Sequence, residues 1–235
     1  SAFCAADKDD YDFAYSLFLN NNFTIAENLL KDFTMQRPES SMAGSAYFVR
    51  AEAFYKKGEY AKALSAYMSV PEKYPQDVNR FRKELYYRIA ECYFNLKDYT
   101  SAAKYAEMVL KDYPDTYIAK DACLLAAENL FLSGDYDGAL SYLGRLEKYT
   151  EYKNFDYAYY LEGRVYYEKS LAAHGAEKNA FAKESLKFFD RVKNEFPQSA
   201  VTGNSEFRRA NVLYSLGEYK EAIRICDALL AKGGG

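Results

Sequence analysis

At 235 residues, 49% of them hydrophobic, the chain is too apolar to be disordered and too long to be comfortable around one small core, but ordinary for an array of small units. A formal net charge of −3 gives no reason to expect a nucleic-acid binder or a membrane-surface protein. The aromatic content is unusual: 25 Tyr and 16 Phe with no Trp, a large amphipathic surface that must be placed somewhere.

Read in chain order, an aromatic recurs at the start of every second predicted helix: Phe23, Tyr60, Tyr99, Tyr136 and Tyr219, with Phe181 or Ala182 at the equivalent place between the last two. The spacings are 37, 39 and 37, then 83 for two units. Three residues after each marker comes a small residue, Ala26, Ala63, Ala102, Ala139 and Ala222, with Ser185 as the sixth. Small residues let two antiparallel helices approach closely. Fifteen residues after the marker stands a proline in four units, Pro38, Pro75, Pro114 and Pro197. Proline lacks a backbone donor and clashes with the preceding turn, so it ends the helix before it. Ser40, Asp77, Thr116 and Ser199, two residues on, are placed to cap the next helix. Gly58, Gly134 and Gly217 fall where one helix stops and the chain turns.

Three units depart from the pattern. The second carries Pro71 inside its second helix, which predicts a kink or stop near Ser69. The fourth ends "LEKYTEYKN" without proline, so the turn near Glu151 must differ. The fifth is about nine residues longer between Tyr167 and Phe181. Shared between both helices of the hairpin, that projects its tip by roughly 7 Å.

Aromatic, small residue and proline at these intervals resemble the tetratricopeptide repeat, from about Asp9 to Lys232. The resemblance implies an all-α fold, a right-handed superhelical solenoid of about six hairpins and twelve helices with a concave and a convex face. The expected organisation is one solenoid domain over 1–235, with units at about 8–40, 43–77, 81–116, 118–152, 154–199 and 201–235. The "YP/FP-x-S/T" endings are similar to those of bacterial envelope repeat proteins. Examples are the outer-membrane assembly lipoprotein that scaffolds the barrel-insertion machine and the repeat domain of the Tol-Pal periplasmic coordinator. That implies a periplasmic or outer-membrane-associated protein in a bacterium; the alternative is cytoplasmic.

Nothing in the sequence carries chemistry. His174, the one histidine, lies in the predicted tip of the long hairpin, where it is solvated. Cys4, Cys92, Cys123 and Cys226 are far apart, with no Cys-x-x-Cys pair, so no metal site is expected. Cys92, Cys123 and Cys226 fall on apolar helical positions and read as small buried hydrophobes. "SAFC" lacks the small residue that precedes a lipid-modified cysteine, so lipidation at Cys4 is not expected. No apolar run is long enough to span a membrane, and no signal peptide is visible. Asp9 and Asp10 read as charges at a helix start. An enzyme and a cofactor are not expected.

Residues on one face of the first helices are the candidate partner-binding set. Five positions before the markers stand Phe18, Tyr55, Phe94, Phe131 and Tyr214, with Tyr167 in the long unit. Two turns earlier on the same face stand Tyr11, Phe48, Tyr87, Leu124, Tyr160 and Phe207. Between them lie Tyr15, Glu52, Glu91, Glu128, Arg164 and Asn211, with Arg208 nearby. By the geometry the resemblance implies, these make two aromatic rails with a polar line between, acidic in the middle and more basic toward the C-terminus. Such a groove suits an extended peptide or a helix carrying basic residues. The rails serve equally well as packing between successive first helices, and the glutamates as solvated surface. The function expected is a non-catalytic scaffold that binds protein or peptide, in a bacterial envelope assembly. The alternatives are a solute-uptake accessory protein with a pore or small-molecule cavity, and a self-associating protein. For the last, Leu229 and Leu230 would leave an apolar C-terminal end.

Overall fold

The computed structural model describes residues 2–149 and 151–233, with side chains over 6–149 and 151–231. The expectation for Cys4 therefore lies outside the described side chains. Among the described residues there are twelve helices and no strand. They are α1 (Ala2–Leu19), α2 (Phe23–Gln36), α3 (Ala43–Lys56), α4 (Tyr60–Lys73), α5 (Val78–Asn95) and α6 (Tyr99–Asp112), followed by α7 (Tyr117–Ser133), α8 (Tyr136–Leu146), α9 (Phe155–Ala172), α10 (Gly175–Glu195), α11 (Thr202–Ser215) and α12 (Tyr219–Gly233). Among the described residues no helix is long and apolar enough to cross a membrane.

The chain divides into two compact units, residues 1–125 and 126–235. In the first, each helix from α1 to α6 packs on its sequence neighbour, and α1 also meets α3. In the second, α8 to α12 pack in the same consecutive way, and α9 also meets α11. Contact between alternate helices places first helices side by side, the arrangement that gives repeats a common face.

The turn within each hairpin is built identically in five repeats. The residue two before the marker takes a left-handed conformation: Asn21, Gly58, Lys97, Gly134 and Gly217, with φ between 61° and 86°. The next amide reaches back to the preceding helix, as Glu59 N–H donates to the Phe54 carbonyl (2.9 Å) and Glu218 N–H to that of Leu213 (2.9 Å). This closure satisfies carbonyls that a helix end leaves without partners. The marker-plus-three residues are buried, with Ala26, Ala63, Ala102, Ala139 and Ser185 fully so. Ser185 keeps the close approach while hiding a hydroxyl: its Oγ donates to the Gly163 carbonyl (2.7 Å). A Cβ on Gly163 would come within 2.6 Å of the Phe189 ring, so α9 and α10 pack at the limit a glycine permits.

The turns between hairpins follow the prolines. Arg37, Tyr74, Tyr113 and Phe196, each preceding a proline, share φ near −136° and ψ near 54°, outside the α region, as the proline ring demands. The expected caps differ from the observation. Ser40 and Ser199 do not bond the first turn of α3 or α11, whose N-caps are Met42 and Val201. Instead their Oγ atoms accept from Met42 N–H (3.3 Å) and Val201 N–H (3.2 Å), bracing the turn ahead of the helix. Asp77 is the N-cap of α5 but makes no side-chain cap bond; Arg80 lies beside it at 3.5 Å.

The three departures resolve individually. α4 does not stop near Ser69 but runs through Pro71 to Lys73. Tyr67 and Val70, both fully buried, hold the last turn in place, and the Tyr74 N–H closes it on the Val70 carbonyl (2.9 Å). α8 has 11 residues and ends at Leu146, so the turn around Glu151 does differ. In the fifth hairpin both helices are extended: α9 runs five residues past Tyr167, and α10 begins six before Phe181. His174 is exposed at that tip. Asp9 and Asp10 lie within α1 rather than at its start, because the helix begins at Ala2; Asp10 pairs with Arg37 at 2.5 Å. Cys92 and Cys123 are buried, and Cys226 is half-buried against the α11–α12 core.

Candidate functional site on the first-helix face

The nearer aromatic rail is tied to the hairpin turns. Phe18, Tyr55, Phe94, Phe131 and Tyr214 each meet the marker ring of their own repeat, at centroid separations of 5.5, 5.5, 6.1, 5.9 and 5.1 Å. These pairs fasten the two helices of a hairpin across the turn, an arrangement worth about 0.5–1.5 kcal/mol per pair beyond buried area. Tyr167 has no such partner, because α10 begins before its marker; it packs on the α9–α10 core instead. Most of the set is half-buried, Phe131 is buried, and Tyr214 is 66% exposed.

The farther rail is more varied. Tyr11 stacks on Tyr15 (5.9 Å), which stacks on Phe18 (6.1 Å), so the three make one run of rings along α1. Phe48 lies against Tyr67 (5.6 Å) and Phe81 (4.8 Å). Phe81 is the residue at which α5 breaks from helical geometry, with φ −138° and ψ 19°. Tyr87 is half-buried. Leu124 and Tyr160 are buried, the latter against Phe189 (6.2 Å). Phe207 on α11 is 52% exposed. Arg208 and Asn211, on the same helix, are half-buried.

The polar line is neither open acid nor solvated surface. Glu52 is buried, accepting from the Tyr67 hydroxyl and from Arg88 Nε (2.8 Å). Glu91, one repeat on, accepts from Nη1 of the same Arg88 (2.6 Å). One guanidinium therefore bridges two repeats, and it also lies 4.9 Å from the Tyr55 ring centroid. Burial opposes the Arg88 charge, but the two carboxylates hold its pKa above the ordinary value. Burial pushes the Glu91 pKa up despite Arg88. In the second unit Glu128 accepts from the Tyr157 hydroxyl, and burial pushes its pKa up against the pull of Arg164. The Arg164 guanidinium lies over Phe131 (4.4 Å) and Tyr160 (5.6 Å).

Within residues 1–125 the face holds a cavity of ≈ 320 Å³ between α3, α5 and the start of α7. Phe48, Glu52, Tyr87, Arg88 and Glu91 line it, and so do Glu84, Tyr117, Ile118 and Asp121. The Tyr117 hydroxyl donates to Glu84 Oε1 (3.3 Å). The sequence reading missed Glu84, Tyr117 and Asp121. A signal was present: Glu84 and Asp121 both stand fifteen residues before their markers, seven before Glu91 and Glu128, two turns along the same face.

The sequence profile of the outer membrane lipoprotein family YfiO matches residues 79–224, and a tetratricopeptide repeat profile matches 11–78. No curated protein sequence matches the chain. Among solved structures the chain is similar to a tetratricopeptide repeat protein from Parabacteroides merdae. The TM-score is 0.72 at 14% identity, over 97% of this chain and 80% of that one. PilW, a type IV pilus biogenesis factor, aligns with TM-score 0.70 at 16% identity, over 96% of this chain and 93% of that one. YrrB, described as a repeat protein with an unusual peptide-binding site, aligns with TM-score 0.61 at 17% identity, over 84% and 90%. At such identities the likeness is one of fold.

Proposed function

The chain belongs to the YfiO family of outer membrane lipoproteins, and on that premise we propose that it is a non-catalytic adaptor of the bacterial envelope. Its first-helix face holds an extended peptide or a helix of a partner protein. The observation that carries this reading is the cavity between α3, α5 and α7, where aromatic walls and polar groups converge on one concave site. The Tyr11–Tyr15–Phe18 run on α1 supplies further apolar surface, with Tyr15 37% exposed. On α11, Phe207 and Tyr214 offer rings of the kind that anchor interfaces. The fold-level likeness to PilW and YrrB, whose descriptions name pilus biogenesis and a peptide-binding site, is consistent with the same class of role.

The test is photo-crosslinking in intact cells, with benzoylphenylalanine in place of Tyr15 or Tyr117 on the first-helix face and of Lys104 on α6. Discrete adducts from the first two positions and none from Lys104, which is exposed on a second helix, are expected. Adducts of equal yield from all three, or none from the first two, would sink the adaptor reading.

A further inference from the structure

We propose that α3 carries a second interaction site, turned away from the first-helix face, in which Arg50 is the seat of a carboxylate side chain, aspartate or glutamate, of a partner protein. Arg50 follows Phe48 by two residues, about 200° around the helix, so the site is separate from that face and independent of the reading given for it. The last repeat shows what an arginine at this register position takes. Arg50 and Arg209 both stand ten residues before their markers. The Arg209 side chain is 16% exposed, and its Nε donates to Asp190 of the preceding second helix (2.6 Å). Its Nη1 lies 3.6 Å from Glu221, two residues after the marker. Around Arg50 the same two places, seven before the preceding proline and two after the marker, hold Lys31 and Lys62. Both answering acids have become cations.

The Arg50 side chain is only 23% exposed, and among the described residues none of its nitrogen atoms is hydrogen-bonded. Glu27 Oε1 lies 3.5 Å from Nε, but the same carboxylate also holds Lys57, at 3.3 Å. A guanidinium drawn out of water without acceptors is costly, and the fold does not require one here. The third repeat fills the same place with Ile89, 2% exposed, within the same frame of rings, Tyr86 and Tyr93 for Tyr47 and Phe54. The surroundings favour an anion. A cavity of ≈ 380 Å³ between α3 and α4 is lined by Arg50, Lys62 and Ser65 over Tyr47 and Phe54, and among the described residues no acid lines it. Arg50, Lys57 and Lys62 crowd the Phe54 ring, at 5.3, 5.3 and 5.8 Å from its centroid. Only Glu27 and Glu59 pair with the three. Lys73, which donates to the Tyr47 hydroxyl (3.1 Å), meets no carboxylate among the described residues. A planar guanidinium takes a carboxylate through two parallel N–H bonds, and Asp190 at Arg209 shows that a carboxylate suits this position.

The experiment titrates the intact protein, 15N-labelled at Arg and 13C-labelled at Phe, and follows it by NMR. The probes are N-acetyl-glutamate methylamide, N-acetyl-glutamine methylamide as the neutral control, and inorganic phosphate as the alternative anion. Saturable shifts of the Arg50 Nε–H and the Phe54 ring with the glutamate amide, and none with the neutral one, are expected. Arg50→Lys replaces the planar fork by a point charge and should weaken binding about tenfold, the scale of a lost charge-assisted bond. Arg50→Leu should abolish binding and still fold, because the third repeat holds Ile89 at that place. Lys104→Gln, which removes an exposed positive charge on α6, should leave binding unchanged. No shift at Arg50 with the glutamate amide, equal shifts with the neutral amide, phosphate binding as tightly as the glutamate amide, or unchanged binding in both Arg50 variants would overturn the carboxylate seat. Each of these outcomes leaves the crosslinks at Tyr15 and Tyr117, and the adaptor reading they test, untouched.

Discussion

Glu162 on α9 is 8% exposed, and burial pushes its pKa up to about 8, with Glu147 adding to the rise and Arg191 opposing it. A carboxyl whose folded pKa lies above its unfolded value binds more protons in the native state. It therefore destabilises the fold at high pH, and the penalty disappears as pH falls from about 8 toward the ordinary glutamate value. Glu162→Gln should stabilise the protein by roughly 2–3 kcal/mol at pH 9 and by little at pH 5. That figure is discounted from about 1.4 kcal/mol per pH unit for residual solvent access. Urea denaturation of both proteins across that pH range would test it; a gain independent of pH would show that packing, not ionisation, is responsible. At the same scale lies the part of the acidic line that the sequence does not show. Glu52, Glu91 and Glu128 are legible as same-face acids, but Arg88 and Tyr157, which answer them, lie 36 residues from Glu52 and 29 from Glu128. Pairing across repeats is decided by which helices stack, not by local spacing.

Turns are the elements the sequence spells most plainly, and they also hold an inconsistency. Lys97 occupies the left-handed position that Gly58, Gly134 and Gly217 fill elsewhere, at φ 64°. A side chain there meets the following carbonyl, at a cost of about 1–2 kcal/mol, which glycine avoids. Lys97→Gly should therefore raise the free energy of unfolding by about 1 kcal/mol, less the extra freedom glycine has in the unfolded chain. A matching loss is expected for Gly134→Ala, measured by the same denaturant midpoint. No change in either would mean that neighbouring contacts, not backbone strain, set the stability of these turns. Helix ends were less legible. Pro71 should have ended α4 on local grounds, yet burial of Tyr67 and Val70 carries the helix two residues further. Tertiary packing outweighed a proline two residues from the end, where few helical bonds remain to be lost.

Across the whole molecule, a net charge of −3 over 235 residues produces little long-range field, so recognition must rest on local chemistry. Binding of a partner peptide on the first-helix face should weaken by less than tenfold between 50 and 500 mM salt. Nucleic-acid binders with several phosphate contacts lose about 10³-fold or more over a smaller range. A steep salt dependence would show that the surface as a whole, not the cavity, attracts the ligand. Membership of the YfiO family of outer membrane lipoproteins sets the expectation for the setting of that partner, an outer membrane. The sequence by itself determined the repeat: marker aromatics, buried small residues, left-handed turn positions and pre-proline breaks are local chemistry repeated at a fixed period. It also located the first-helix face, because two-turn spacing on a helix needs no partner to be read. Only the tertiary structure decided what that face contains. Whether a ring fastens a turn, as Tyr55 does on Tyr60, or walls a cavity, as Phe48 does, depends on the neighbouring helix. So does the state of each acid: Glu52 and Glu91 share one guanidinium, while Glu84 is left with a buried oxygen unanswered. Contacts between residues tens of positions apart are set by stacking, and stacking is a property of the assembled helices.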